Sequence, residues 1–432
     1  MPESITIILI LTLLGILFWL SSLGVNSGKL SAEWARKTVH IGMGLICLTF
    51  PWIFNSAFSV QCLAIIAMFT LLLLRYSKLR ASVGTALFAI ERLSIGELLF
   101  PIAVAWLFTL SADKPLLYAI SLLLLTLADS AGALAGSRYG KFIYSTTAAK
   151  KSLEGSGAFF VTAFFCTALP LHFFSPLGLF HIALLALTIS LFITAVEGAC
   201  GHGTDNLLIP IGSFFLLDYY INLAGSAILI RSIALLVLLA LLLATHRKHS
   251  LNGGALLTAL LFGFSAFTLG GIPSLLASLV VLGRHIQVQS QMAKKHIVIH
   301  SVDVLVAIAL VPLAWLTLGR QGVISYSEAQ FGFISALAIT LYLLNVGTQK
   351  HLKLRQPSLW IGFILSLLVL SPSLMLDVVW IDYLPTLLTG PLLAWVYFYW
   401  KGNADAPELN HWLKLCFLVG LSSISTMFFV LS

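Results

Sequence analysis

A carboxylate inside an apolar run is the first place to look for chemistry, because an ionisable group at membrane depth is expensive and usually functional. Asp129 is such a group, and Gly132, Gly136 and Gly140 follow it at intervals that put all four on one helical face, with Arg138 and Lys141 alongside. The glycines allow two readings: a groove where a ligand approaches the backbone, or a seam for close helix packing. Downstream, Lys150-Lys151-Ser152-Leu153-Glu154-Gly155-Ser156 sets two ammonium groups and a carboxylate just before another apolar run. Cations beside Ser and Gly at a helix N-terminus suit a polyphosphate, although the same loop taken alone is also an ordinary basic anchor. A third polar stretch, from Glu197 through Gly201-His202-Gly203-Thr204-Asp205-Asn206 to Pro210, reads as a hairpin between two apolar runs. Its carboxylates and amide are hard oxygen ligands of the kind Mg²⁺ prefers, its glycines permit a tight re-entry, and His202 is expected as a loop residue rather than a ligand. Arg36-Lys37-Thr38-Val39-His40 opens the second apolar run and, on spacing alone, carries little more weight than an interfacial anchor. Carboxylates for a divalent cation, lysines for phosphates and a bilayer that delivers a lipid sideways together point to phosphoryl or nucleotidyl transfer to a lipid.

The elements that must hold these groups are legible from composition. Hydrophobic residues make up 59% of the 432, charged residues 9%, and the mean hydropathy is +1.02, which excludes a soluble domain with a solvated exterior. Apolar runs such as 5–24, 57–74 and 115–136 recur along the chain and predict an all-α, polytopic transmembrane bundle of about 16 spans. The first run lacks a basic n-region and is expected to be retained as a span. The five cysteines are scattered without a C-x-x-C, so neither a disulfide framework nor a zinc site is indicated. Once spans are drawn, 21 of the 24 basic residues fall on one side, leaving Lys114 and Arg320 opposite and Arg231 within a span. That asymmetry predicts cytoplasmic basic loops and both termini on the other face, and explains the net charge of +8 without a nucleic-acid partner. A polar, Gly-rich break at 246–254 predicts two bundles, 1–245 and 246–432. Before it, Glu91, Glu97, Asp129, Glu154, Glu197 and Asp205 all sit near the basic ends of spans; after it, Asp303 alone resembles them.

Taken together, these motifs resemble the CTP-dependent polyprenol, dolichol and phytol kinases, relatives of the phosphatidate cytidylyltransferases. The resemblance runs through Arg36-Lys37-x-x-His40, Glu91-Arg92-x-x-x-Gly96-Glu97, Asp129-x6-Gly136-x3-Gly140-Lys141, Lys150-Lys151-Ser152-x-Glu154-Gly155-Ser156, and Glu197 followed by Asp205-Asn206 and Pro210. It implies a CTP donor, Mg²⁺ and a lipid alcohol acceptor: phytol, a polyprenol or dolichol, or diacylglycerol. Carried over, Asp129, Lys150, Lys151, Ser152, Glu154 and Gly155 would bind nucleotide phosphates and metal, while Glu197, Asp205 and Asn206 would complete the metal and acceptor site. Asp129 and Asp205 are then the expected metal ligands, Lys150 and Lys151 the charge stabilisers, and Glu197 the acceptor-activating base. Gly136, Arg138, Gly140 and Lys141 would line the nucleotide, with Arg36, Lys37, His40, Glu91 and Glu97 in support. Asp205-Asn206 in place of an Asp-Arg pair favours a kinase over a cytidylyltransferase, and the one-sided acids favour either over a transporter or flippase. The second half, opening on Leu251-Asn252-Gly253-Gly254, resembles a degenerate phytyl-phosphate-kinase-like membrane domain whose inner-face carboxylates are largely missing.

Overall fold

With no water in a bilayer core to satisfy backbone N–H and C=O groups, apolar segments of this length close their hydrogen bonds internally as helices. The structure, a computed structural model, describes residues 2–76, 95–146, 150–291 and 300–351, with short stretches between 364 and 422. Among the described residues, nine helices are long and apolar enough to cross a membrane, so they do not establish the expected sixteen.

The chain divides into two compact units, Met1–Ile233 and Ala234–Ser432. In the first, α1 (Glu3–Asn26), α2 (Ala32–Leu48), the short α3 (Phe50–Ile53) and α4 (Ala57–Tyr76) precede α5 (Gly96–Leu110). Glu91 lies outside the described residues. The span Pro115–Tyr139 is built in three parts: α6 (Pro115–Leu123), a π-turn (Leu124–Ala128) and α7 (Asp129–Tyr139). An antiparallel hairpin of β1 (Ile143–Ser145) and β2 (Lys150–Ser152) leads into α8 (Leu153–Phe174), followed by α9 (Leu179–Ala199), α10 (Asp205–Tyr220) and α11 (Gly225–Ala244), inside which the division falls. Helix α2 runs along the three-part span: Tyr118 Oη donates to the Cys47 carbonyl at 2.8 Å, and a Cβ on Gly44 would lie 2.0 Å from Thr126 Oγ1.

In the second unit, α12 (Gly253–Gln291), α13 (Val302–Arg320) and α14 (Tyr326–His351) pack around Trp315, Phe331, Phe333 and Tyr342. Gly271, at φ 68°, breaks α12 two residues before Pro273, and the buried Gln330 amide donates to the Gly270 carbonyl. Only glycine adopts that backbone at so little cost, and Gln330 satisfies an acceptor left by the broken ladder.

The two readings of the glycine face resolve into packing. A Cβ on Gly132 would lie 3.2 Å from the Gly155 carbonyl oxygen, one on Gly136 3.5 Å from Gly155 Cα, and one on Gly155 only 2.9 Å from the Gly132 oxygen. The space that a ligand groove over Gly132 and Gly136 needs is occupied by the N-terminal turn of α8. The seam is what brings β2 and the start of α8 against Asp129's helix. Gly155→Leu is expected to lower stability by about 1–3 kcal/mol through overpacking against backbone that cannot yield. Gly157→Leu, whose added Cβ meets nothing within 4 Å, should stay within about 0.5 kcal/mol of the parent. Thermal unfolding in detergent compares the two.

Candidate active site

Two lysine–carboxylate pairs form the centre of the first unit's polar end. On α2, Lys37 and His40 are three residues apart and therefore share a face. Lys37 Nζ donates to Asp129 Oδ2 at 2.6 Å and approaches the Asp129 carbonyl at 3.4 Å, with its side chain only 3% exposed. His40 Nε2 lies 3.0 Å from the Leu125 carbonyl and 3.5 Å from Asp129 Oδ2. A carbonyl only accepts, so Nε2 carries the proton in that contact. Leu125 belongs to the π-turn that leads into Asp129, an irregularity common at functional sites.

The hairpin supplies the second pair. Alternation along a strand separates neighbours, and Lys150 is exposed, Lys151 half-buried and Ser152 buried. Lys151 Nζ donates to Glu197 Oε1 at 2.6 Å and to the Glu197 carbonyl at the end of α9. Glu197 Oε2 is buried without a hydrogen-bond partner among the described residues. Asp205 begins α10 and accepts the Asn206 N–H on Oδ1 at 3.0 Å. Burial by itself pulls the Lys151 ammonium down, but Glu197 and Asp205 outweigh it and hold Lys151 above its ordinary value. Asp205 in turn lies in the field of Asp129, Lys151 and Lys37, which makes one electrostatic cluster of the two pairs.

Other expected site residues hold the frame. Ser152 caps α8, accepting the Gly155 N–H at 3.1 Å. Glu154 accepts the Phe142 N–H at 3.3 Å and so braces the hairpin. The Asn206 amide donates to the Gly96 carbonyl at 2.7 Å, and Ile95 N–H donates to the His202 carbonyl at 2.9 Å, fastening the start of α5 to the turn before α10. That turn uses His202 at φ 55° and Gly203 at φ 86°, and the exposed His202 fits its expected loop role. Arg36 pairs with Glu33 at 2.6 Å and Glu97 with Arg75 at 2.8 Å. Arg138, which lies over the Tyr139 ring, and Lys141 are exposed near the end of α7. Gly140 packs on Ser152, where a Cβ would come within 2.9 Å of Oγ.

Spacing alone gave Lys37 and His40 little weight, yet they hold Asp129. Tyr144 was missed altogether: it faces Lys151 across the hairpin and its hydroxyl lies 2.8 Å from Ser156 Oγ. Burial first, and then the Glu197 charge, raise the Tyr144 phenol. Its only signal in the sequence is its place in the short stretch before Lys150, which reads as loop.

Nine helices long and apolar enough to cross a membrane among the described residues, with buried opposite charges gathered at one end of the first unit, define a polytopic membrane protein with a charged polar site. Among known proteins, the chain is similar to a lipid kinase. It is 29% identical over 185 residues, 42% of this chain and 77% of the relative, to the phytol kinase of Synechocystis sp.. No family model matches the chain. No solved structure matches it either.

Removing one partner of a buried pair leaves an uncompensated charge, so Lys37→Met is expected to cost about 3–5 kcal/mol, with much of that regained in Lys37→Met/Asp129→Asn. Unfolding of both single variants and the double variant in detergent measures the coupling; strict additivity would contradict it. Because Lys151 is held above its ordinary value, its contribution to stability is present through neutral pH and is lost only as pH rises through the raised value. Lys151→Met should therefore be less stable than wild type at every pH between about 7 and 9, read from melting temperatures across that window.

Proposed function

We propose that the chain is an integral membrane kinase that transfers the γ-phosphoryl group of CTP to a lipid alcohol at the cytoplasmic face. The observation that carries this is the convergence of Lys37–Asp129 and Lys151–Glu197 on Asp205 at the polar end of an otherwise apolar bundle. Cations and carboxylates in one water-poor site are the equipment phosphoryl transfer uses, since its catalysis is mostly positioning and charge stabilisation. Similarity to a phytol kinase supports the reaction class and the alcohol acceptor.

The residues suit a bound Mg²⁺. No group of three or more His, Cys, Asp or Glu forms a cage among the described residues, and Mg²⁺ with nucleotides does not need one, because it takes one or two carboxylates plus phosphate oxygens. Glu197 Oε2, buried and unpartnered, is a further hard oxygen at the site. Asp129 and Asp205 are the proposed ligands, and the ion would neutralise charge on the nucleotide phosphates. Lys37 and Lys151 offset the charge on the transferring group, while Lys150, Lys141 and Arg138 at the exposed rim meet the rest of the nucleotide. Ser152 and Gly155 set the N-terminus of α8 toward the phosphates. The lipid hydroxyl oxygen bonds to the γ-phosphorus, the bond from that phosphorus to the bridging oxygen breaks, CDP leaves, and Glu197 Oε2 accepts the hydroxyl proton. The second unit serves as scaffold; its single inner-face candidate, Asp303, is exposed and near Ser301 Oγ at 3.3 Å.

Purified protein given γ-labelled CTP, Mg²⁺ and a panel of phytol, polyprenol and diacylglycerol should yield a labelled lipid phosphate and CDP. Asp129→Asn should lower the rate by about a hundredfold or more while the protein still accumulates in the membrane. Pyrophosphate release with a CDP-lipid would move the assignment to a cytidylyltransferase, and substrate flux in proteoliposomes without CTP consumption would move it to a transporter.

A further inference from the structure

A cavity of about 250 Å³ lies between α1, α2, α4 and α5. On α4 it is lined by Val60, Leu63, Ala67, Leu71 and Leu74, one face of the helix. From Val60 to Leu74 this face is about 21 Å long at the rise of an α-helix. Leu11 and Phe18 of α1 and Met43 and Cys47 of α2 close other sides, and Phe50 stands at the far end with Val60. Glu97 is the one charged residue in the lining, and it is neutralised by Arg75 at 2.8 Å.

The charged end of this cavity adjoins the site already described. Phe100, in its wall, meets the His40 ring edge-on at 5.4 Å between centroids, and His40 lies 3.5 Å from Asp129. Gly96, next to Glu97, is held to Asn206, the neighbour of Asp205. The face of α2 is continuous: Lys37 and His40 serve the charges, and Met43 and Cys47, further along the same stripe, serve the cavity. Helices α1 and α4 bury little of themselves and turn the apolar side chains of Ile8, Leu9, Ile65 and Phe69 outward, away from the cavity.

We infer that this cavity is the binding site for the hydrocarbon tail of the acceptor alcohol, and that its closed end at Phe50 and Val60 sets the acceptor's chain length. This rests on the kinase reading above and adds the acceptor class: a single-headed isoprenoid alcohol of diterpenoid length, such as phytol. The α4 lining from Val60 to Leu74, about 21 Å along the helix, matches one extended chain of that scale. At about 250 Å³ the cavity is too small for a polyprenol of dolichol length or for both acyl chains of a diacylglycerol. The hydroxyl then emerges beside Glu97 and Phe100, next to the Asp129–Asp205 cluster.

The test uses the full-length protein and depth-graded blocks. Val60→Trp fills the far end, and Ala67→Phe fills the cavity half-way along. The rate ratio of phytol to farnesol should fall about tenfold or more in Val60→Trp, and that of farnesol to geraniol by a similar factor in Ala67→Phe, as the burial of two or more methylenes is lost. Ratios equal to those of the parent in both variants, with phosphorylation retained, would overturn the cavity assignment and leave the kinase intact. A second measurement is independent of turnover. A phytol analogue with a photoactivatable diazirine at its tail should label peptides around Leu11 and Val60 without nucleotide, and excess phytol should suppress the labelling. Labelling elsewhere, or labelling that phytol does not displace, counts against the site even if no alcohol is ever phosphorylated. Labelling as expected with no transfer to any alcohol would sink the kinase reading instead.

Discussion

Asp129 is a carboxylate at the depth of a membrane span, and the Lys37 ammonium 2.6 Å away is what makes that burial tolerable. Neither charge has a bulk-water alternative once the bundle forms, so each fixes the other, and the α2 helix is pinned to the span that carries Asp129. Tyr118, Thr126 and Leu125 along that span then meet α2 at Cys47, Gly44 and His40, and the π-turn just before Asp129 sits within this contact. The polar end of the first unit is thus assembled on a helix pair whose register is set by one ion pair.

The second pair depends on that frame. Gly132, Gly136 and Gly155 let α8 lie close to α7, which carries the hairpin and Lys151 to Glu197. Asn206 fastens the start of α5 to the turn before α10, leaving Asp205 beside both pairs and Phe100 beside His40. A charged end and an apolar cavity therefore meet at the N-terminal turn of α5. The surrounding bundle is apolar, which makes fixed charges at this end more effective than they would be in water.

Composition and run length were enough to read an all-α membrane protein, because lipid leaves helices as the economical way to satisfy the backbone. Asp129, Lys151, Glu197 and Asp205 also stand out in the sequence, since ionisable groups at the ends of apolar runs have few purely structural uses, and the structure gathers them at one end of the first unit. Their partners were not. Whether Lys37 anchors at an interface or reaches Asp129, 92 residues away, depends on which helices pack, and one sequence does not encode that in its local pattern. The glycines gave the same spacing for a groove and for a seam, and only the position of α8 decided between them. Lys150 and Lys151 looked equivalent until the hairpin register turned them to opposite faces. The cavity was invisible for a similar reason: its lining comes from five helices, and no local pattern in any one of them marks it.

The central claim is that the two lysine–carboxylate pairs form one nucleotide site. Equilibrium binding of CTP with Mg²⁺ to the protein in lipid nanodiscs tests it most directly, comparing the parent with Lys37→Met and Lys151→Met. Saturable binding by the parent, weakened about tenfold or more by either substitution as a charge-assisted phosphate contact is lost, is the predicted result. A parent that binds no CTP, or variants that both bind it as tightly as the parent, would contradict the account.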